Sequence, residues 1–392
     1  MASQNNPIIL PERFIDVCSY AGELIGPLAP SIAAGITVVV LAGALWRAHV
    51  LKRSGRSRAA LRLASGISVA ISLVLTLALA VNAWVGYVPS FEALGRWLDG
   101  RAEPAAVQGT MTTGDRTPTT LDSSAVFQVT VPAAARAVPD ANAWVYLPPG
   151  YDQNPKLRYR AIVALHGDPG KGADWLVGGA IQRTLDTLIE SGALPPVVLI
   201  APDLSSGLGA DYREPVNLPD GPAISDFVAQ DVVAWLDSNL RTSSRAADRI
   251  IAGFSSGGFG SLVIGLHNPS VFGGIVSITP YTEPYTEAYK LGAGRSEWDP
   301  SRHIATVRTI PPVFLGMAGL ETAKNGNLLA AALDQRDATY TKRVFENQPH
   351  TWQAARIMMP YGLVWMANEL NWAEPLTNSM AGFPRECKPS PN

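Results

Sequence analysis

Cysteine is almost missing from this chain: Cys18 and Cys387 are the only two among 392 residues. No disulfide framework therefore holds the molecule together, and no cysteine-based zinc site can form. A bridge between the two in an oxidising compartment and a pair of unpaired thiols near the termini both remain open readings. Charge is sparse as well, at 16% Asp, Glu, Lys and Arg with a net charge of −2, which argues against a nucleic-acid partner. The chain has no internal repeat. Two stretches, residues 24–46 and 63–91, carry no charge at all.

Each of these uncharged stretches exceeds the roughly 20 residues needed to cross a hydrocarbon core. The expectation is two transmembrane helices, at about 24–46 and 63–88, with Pro27 and Pro30 in or just before the first turn, where a missing N–H costs little. Trp46 and the group Trp84, Tyr87 and Phe91 fall where interfacial aromatics belong. Between the spans stand Arg47, Lys52, Arg53, Arg56, Arg58 and Arg62, which the positive-inside rule puts in the cytoplasm. Both chain ends and everything downstream then lie outside. A signal peptide at the first span is disfavoured by Glu12, Asp16 and Glu23, which precede it where a signal needs positive charge. A second alternative takes 53–62 and the second span as a signal with Ala83 before the cleavage site. It too leaves the downstream part outside. The expected organisation is a membrane region over 1–98, a Gly, Thr, Pro and Ala-rich linker over 99–121, and an extracytoplasmic domain over 122–392.

Within that domain, apolar strand patterns fall at 126–131, 143–147, 160–165, 197–201, 249–254, 274–279, 313–316 and 340–346. Helical patterns at 180–190, 227–240, 257–267 and 328–337 alternate with the later strands, and 351–370 closes the domain as a Trp- and Met-rich helix. Alternation of this kind predicts an α/β fold with a mostly parallel sheet and helices on both faces. At the end of one strand comes Gly253-Phe254-Ser255-Ser256-Gly257, which reads as a nucleophile elbow. There a serine sits on a strained strand-to-helix turn, and flanking glycines let the two elements approach closely.

Three segments in order carry a resemblance: Leu165-His166-Gly167 after a strand, the elbow extended by Gly258, and His350-Thr351-Trp352 before the last helix. Over about 126–370 the chain resembles the α/β-hydrolase esterases of the esterase-D type, relatives of the mycolyltransferases. The paired spans with their basic loop, followed by Asn82 and Tyr87-Val88-Pro89, look like a membrane-anchored bacterial branch of that family. The resemblance implies an α/β-hydrolase fold, no cofactor and no metal. It makes Ser255 the nucleophile and His350 the base, with the acid after the strand at 313–316, for which Glu321 is the choice and Asp299 and Asp334 are the competitors. The oxyanion donors would be the backbone amides of Ser256 and Asp168, the Asp168 side chain pointing away from developing negative charge. His166 is expected to be an interior histidine shaping its loop, His267 to end a helix and His303 to lie in a loop. The long segments 204–223 and 281–302 are expected to shape specificity, with Trp175, Tyr212, Arg213 and Trp298 as candidates for lining a substrate pocket.

The implied activity is cleavage of a carboxylic ester of a lipid or envelope component through an acyl-enzyme. Transfer of the acyl group to an envelope acceptor, as in the mycolyltransferases, and a non-catalytic envelope scaffold are the alternatives.

Overall fold

The computed structural model describes residues 28–53, 59–85, 87–88 and 123–372, less 134–135, 152, 154, 205–206, 210–211, 219, 287–297, 320–322 and 347. The expected linker, Glu321, Cys18 and Cys387 thus lie outside the described residues.

Helices α1 (Leu28–Arg53) and α2 (Ala59–Val85) come first. Helix α1 runs past the expected end at 46 because Arg47, Lys52 and Arg53 are good helix formers and no proline interrupts them. Each helix contains a 21-residue stretch, Pro30–Val50 and Leu63–Ala83, that is long and apolar enough to cross a membrane. The two pack together through a polar contact in which Thr37 Oγ1 lies 2.8 Å from Thr76 Oγ1 and 3.1 Å from the Ser72 carbonyl oxygen. Their outward-facing Ile36, Val39, Val74 and Leu77 are exposed, and among the described residues none covers this apolar shell.

The rest is built on one eight-stranded sheet of order β1-β2-β4-β3-β5-β6-β7-β8. The strands are β1 (Ala125–Val131), β2 (Ala141–Leu147), β3 (Arg160–Leu165), β4 (Val197–Pro202), β5 (Arg249–Phe254), β6 (Gly274–Ile278), β7 (Val313–Ala318) and β8 (Tyr340–Phe345). Pairings β1 with β2 and β2 with β4 are antiparallel, and every other pairing is parallel. Strand β3 shows why the central sequences read as continuous apolar runs. Its Ala161, Val163 and Leu165 face one core and its Ile162 and Ala164 the other, so both faces are buried.

Helices α3 (Asp174–Val177) and α4 (Ile181–Glu190) follow β3, and the 224–239 helix α5, π-helical over Phe227–Val232, follows β4. Then come α6 (Ser256–His267), α7 (Pro300–Thr306), α8 (Ala323–Asp334) and α9 (Trp352–Glu369). Helices α4 and α9 cover one face of the sheet, while α5, α6 and α8 cover the other. Strand order reverses about β3, with β4 on one side and β5 on the other, so the crevice at their carboxyl ends is where this architecture places a ligand.

Two short helices were not expected. Helix α7 forms because Asp299 caps it, accepting from the amides of Ser301 and Arg302 at 2.9 and 3.3 Å, with Pro300 just inside the start. His303 therefore belongs to a helix and not to a loop. It stacks on His267 with ring centroids 3.8 Å apart, and burial together with that neighbour lowers its pKa to about 4.

Candidate active site

Strand β5 delivers Ser255 to the carboxyl edge of the sheet, and α6 starts at the next residue. At Ser255 the chain turns through φ 59°, ψ −117°, a conformation costing a side-chain-bearing residue about 1–3 kcal/mol. The turn is held by the Ser255 amide donating to the Ile278 carbonyl at 2.9 Å and by crowding that only glycine tolerates. A Cβ at Gly257 would overlap the carbonyl oxygen of Leu165, and one at Gly253 would overlap that of Gly257. Strand, turn and helix are thus locked against β3 and its following loop.

Opposite the serine, His350 lies on the segment between β8 and α9, and its Nε2 stands 2.8 Å from Ser255 Oγ. That is hydrogen-bond distance for a hydroxyl proton passing to an imidazole that carries its own proton on Nδ1. The histidine ring rests on Phe254, centroids 5.1 Å apart, and Phe254 in turn meets Trp352 at 5.0 Å. These contacts set the imidazole plane by packing.

Of the three candidate acids, Asp299 and Asp334 are engaged elsewhere. Asp299 caps α7 and also accepts from Ser301 Oγ at 2.6 Å, while Asp334 accepts from the Tyr340 hydroxyl at 2.7 Å. The end of β7 does adjoin the histidine segment. The Gly319 amide donates to the Phe345 carbonyl at 3.0 Å, and a Cβ on Gly319 would stand 3.1 Å from the Glu346 oxygen and 3.4 Å from that of Gln348. Glu321 follows two residues later in sequence.

Ser256 occupies the first position of α6, where a helix N–H has no intrahelical acceptor and the helix dipole favours negative charge. Asp168 lies on the loop after β3, its carboxylate engaged by the Tyr285 hydroxyl, which donates to Oδ2 at 2.8 Å, and by Arg213 at 3.8 Å. Burial and the neighbouring Asp168 carboxylate raise the Tyr285 pKa, keeping its donor proton in place. His166 is interior, as expected. The Leu204 amide donates to its Nε2 at 3.0 Å and its Nδ1 faces the Gly167 carbonyl at 2.7 Å, so the ring is neutral, and burial lowers its pKa. Asp203 accepts from the Gly172 amide and joins the same loop to the end of β4.

Two expected pocket residues are corrected here. Trp175 has no exposed surface and packs edge-on against Trp352 at 5.0 Å, while Trp298 is buried with Val216, Phe259 and Val263 and lies 4.7 Å from the His267 ring. Neither offers a wall to a ligand in this arrangement. Tyr212 is exposed at the edge, as is Tyr285, which the sequence reading did not single out.

Also unexpected is Glu214, a carboxylate 2% exposed. It accepts from the Tyr281 hydroxyl at 3.1 Å, the Tyr285 amide at 2.9 Å, the Thr286 amide at 3.0 Å and the Thr286 hydroxyl at 2.7 Å. Four donors fix the segment after β6 beside the serine, and Tyr281, stacked on Phe259 at 4.5 Å, brings its hydroxyl within 3.2 Å of Ser256 Oγ. In sequence Glu214 is a lone acid in a loop, indistinguishable from a solvated one.

The family model described as "Putative esterase" matches residues 138–363, more than half of the chain and all of the elements from β2 through most of α9. The chain belongs to this esterase family. The chain is 32% identical over 123 residues to the Mycobacterium tuberculosis protein named esterase Rv1288, and 27% identical over 133 residues to an endo-1,4-beta-xylanase/feruloyl esterase of Xylanibacter ruminicola. Those segments make up 30% and 33% of this chain but only 24% and 18% of the two relatives. Among solved structures, an S-formylglutathione hydrolase from Agrobacterium tumefaciens superposes with TM-score 0.55 at 18% identity, covering 66% of the esterase and 100% of that chain. At such identity the likeness establishes an α/β-hydrolase-like fold.

Proposed function

We propose that this esterase is a membrane-anchored serine hydrolase that cleaves a carboxylic ester of a lipid or envelope component through an acyl-enzyme. The observation that carries the reading is the 2.8 Å approach of His350 Nε2 to Ser255 Oγ on a turn built to expose that hydroxyl. His350 takes the Ser255 proton as Oγ attacks the ester carbonyl. The resulting oxyanion falls to the amides of Ser256 and Asp168, and the same proton passes to the departing alcohol. Water, activated by His350, then releases the acid and restores Ser255. Glu321 orients His350 and stabilises its charged form. Tyr212 and Arg213 border the approach to the serine. The first test is labelling by a fluorophosphonate probe, expected for the native esterase and lost in Ser255→Ala. Labelling of that variant would remove the nucleophile assignment.

The acid has its own test. Glu321→Gln should lower kcat by about 10²- to 10⁴-fold with little change in KM, since an orienting carboxylate acts mainly in the transition state. Asp299→Ala should keep its turnover and lose about 1 kcal/mol of stability as an unmade helix cap. Turnover lost in Asp299→Ala or Asp334→Ala and kept in Glu321→Gln would reassign the acid.

Anchoring is supported by the two apolar helices, whose 21-residue stretches are almost wholly uncovered among the described residues. Core helices of a soluble domain would be covered. The basic residues from Arg47 to Arg62 favour a cytoplasmic connection between them, with the catalytic domain outside. Alkaline phosphatase fused after Asn392 should accordingly be active, whereas a fusion fluorescing only in the cytoplasm would contradict the topology. A domain joined to helices in the bilayer meets esters of the membrane at far higher local concentration than soluble ones.

A further inference from the structure

The segment leaving α2 does more than lead into a linker. Two residues past Val85, the Tyr87 hydroxyl donates to Asp174 Oδ1 at 2.7 Å, a contact across 87 positions of sequence. The Tyr87 ring also packs against the core cluster that contains Trp175 and Trp352. Just before it, Asn82 closes the end of the helix, accepting from the Val88 amide at 2.8 Å and donating to the Val88 carbonyl at 3.0 Å. The departing chain is therefore turned and held, and Tyr87 is presented in a defined direction.

Asp174 is the first residue of α3, at the end of the loop that follows β3. Its carboxylate is 5% exposed as a residue, accepts from the Lys171 amide at 2.9 Å, and lies so close to the loop that a Cβ on Gly170 would stand 2.7 Å from Oδ2 and 3.1 Å from His166 Nδ1. This loop is at the carboxyl edge of the sheet, the edge that carries Ser255 and His350. From Ala83, the end of the apolar stretch, to Tyr87 is four residues, at most about 14 Å of chain. The catalytic edge is thus tied to the point where α2 leaves the bilayer. Near Asp168 on that edge stand the exposed Tyr285 and Tyr212, with Arg213 in ion-pair reach of Asp168, residue types suited to a headgroup layer.

We infer that Tyr87 and Asp174 form a clamp that holds the mouth of the active site against the lipid surface, making Tyr87 a determinant of selectivity for bilayer-borne esters over soluble ones. The inference rests on the serine-esterase reading and on α2 crossing the membrane. Without the clamp the mouth is no longer held to the end of α2. The loop itself does not depend on Tyr87, because the Gly172 amide donates to Asp203 and the Asp174 amide to the Lys171 carbonyl. Hydrolysis of a soluble ester should then survive the loss of Tyr87.

The test uses the full chain in lipid nanodiscs, with 4-methylumbelliferyl palmitate in the bilayer and 4-methylumbelliferyl acetate in solution. Tyr87→Ala should lower the palmitate rate about tenfold while the acetate rate stays within about twofold. Tyr87→Phe, which keeps the ring, should show about a fivefold loss on palmitate alone, as expected for one hydrogen bond of ordinary net strength. Equal losses on both substrates would overturn the clamp in favour of a loop-supporting role, and unchanged palmitate rates in both variants would overturn it outright. Thermal unfolding of Tyr87→Phe shows whether the fold is intact. Failure of the underlying reading looks different, since Ser255→Ala would then retain activity on acetate.

Discussion

Ser255→Ala and His350→Ala are each expected to lower kcat for a p-nitrophenyl ester by at least about 10⁴-fold, and the double variant to be little worse than either alone. The non-additivity follows from the geometry. His350 Nε2 faces Ser255 Oγ at 2.8 Å, so removing one leaves the other with no proton to take or no base to take it. KM should change little, because neither group is needed to bind the ground state. Steady-state kinetics of the three variants checks this. Losses that multiply in the double variant would show that the two residues act independently.

Gly257→Ala should be nearly as severe by another route. The added Cβ would overlap the carbonyl oxygen of Leu165 and stand 2.5 Å from its carbonyl carbon and 2.6 Å from the carbonyl oxygen of His166. These are backbone atoms of β3 and its loop and cannot swing aside as a side-chain tip would. Overpacking of this kind costs about 3 kcal/mol. Relief by separating α6 from β3 would also move the Ser256 amide away from the loop carrying Asp168. We therefore expect a lower unfolding midpoint in urea and at least a hundredfold loss of turnover in whatever remains folded. Gly192→Ala is the contrast, since its Cβ would meet nothing within 4 Å and its cost is confined to a backbone at φ 74°. Its kcat should stay at the native value. If Gly257→Ala matched it in both midpoint and kcat, the close approach of strand and helix would not be what shapes the elbow.

The sheet was legible because its central strands are buried on both faces, so residues such as Ile162, Val163 and Ala164 form an uninterrupted apolar run bounded by turn residues. The pairing of Ser255 with His350 was legible for a different reason: both residues lie on short segments directly after strands, where local sequence dictates geometry. The aromatic loop residues were not. Trp175 and Trp298 stand in segments that emerge at the catalytic edge, yet both turn into the core, and sequence position alone carries no sign of that direction. Helix α3 has only four residues, and α7 only seven, too short to show a period. Glu214 was missed because its partners, Tyr281, Tyr285 and Thr286, lie some seventy residues away and are joined to it only by the folded sheet.

The helices at the start of the chain were plain from their lack of charge, but their relation to the active site was not. Tyr87 reads in sequence as one more interfacial aromatic. Its bond to Asp174 depends on the loop after β3 folding back to the sheet edge, which no local pattern announces.

The central claim is that ester cleavage passes through an acyl group on Ser255. Its most direct measurement is a rapid acid quench during turnover of a p-nitrophenyl ester, followed by digestion and mass mapping of the acylated peptide. A burst of p-nitrophenol matched by acyl on the peptide containing Ser255 is expected, with none in Ser255→Ala. Turnover by the native esterase with the acyl group on another residue, or with the burst intact in Ser255→Ala, would contradict it.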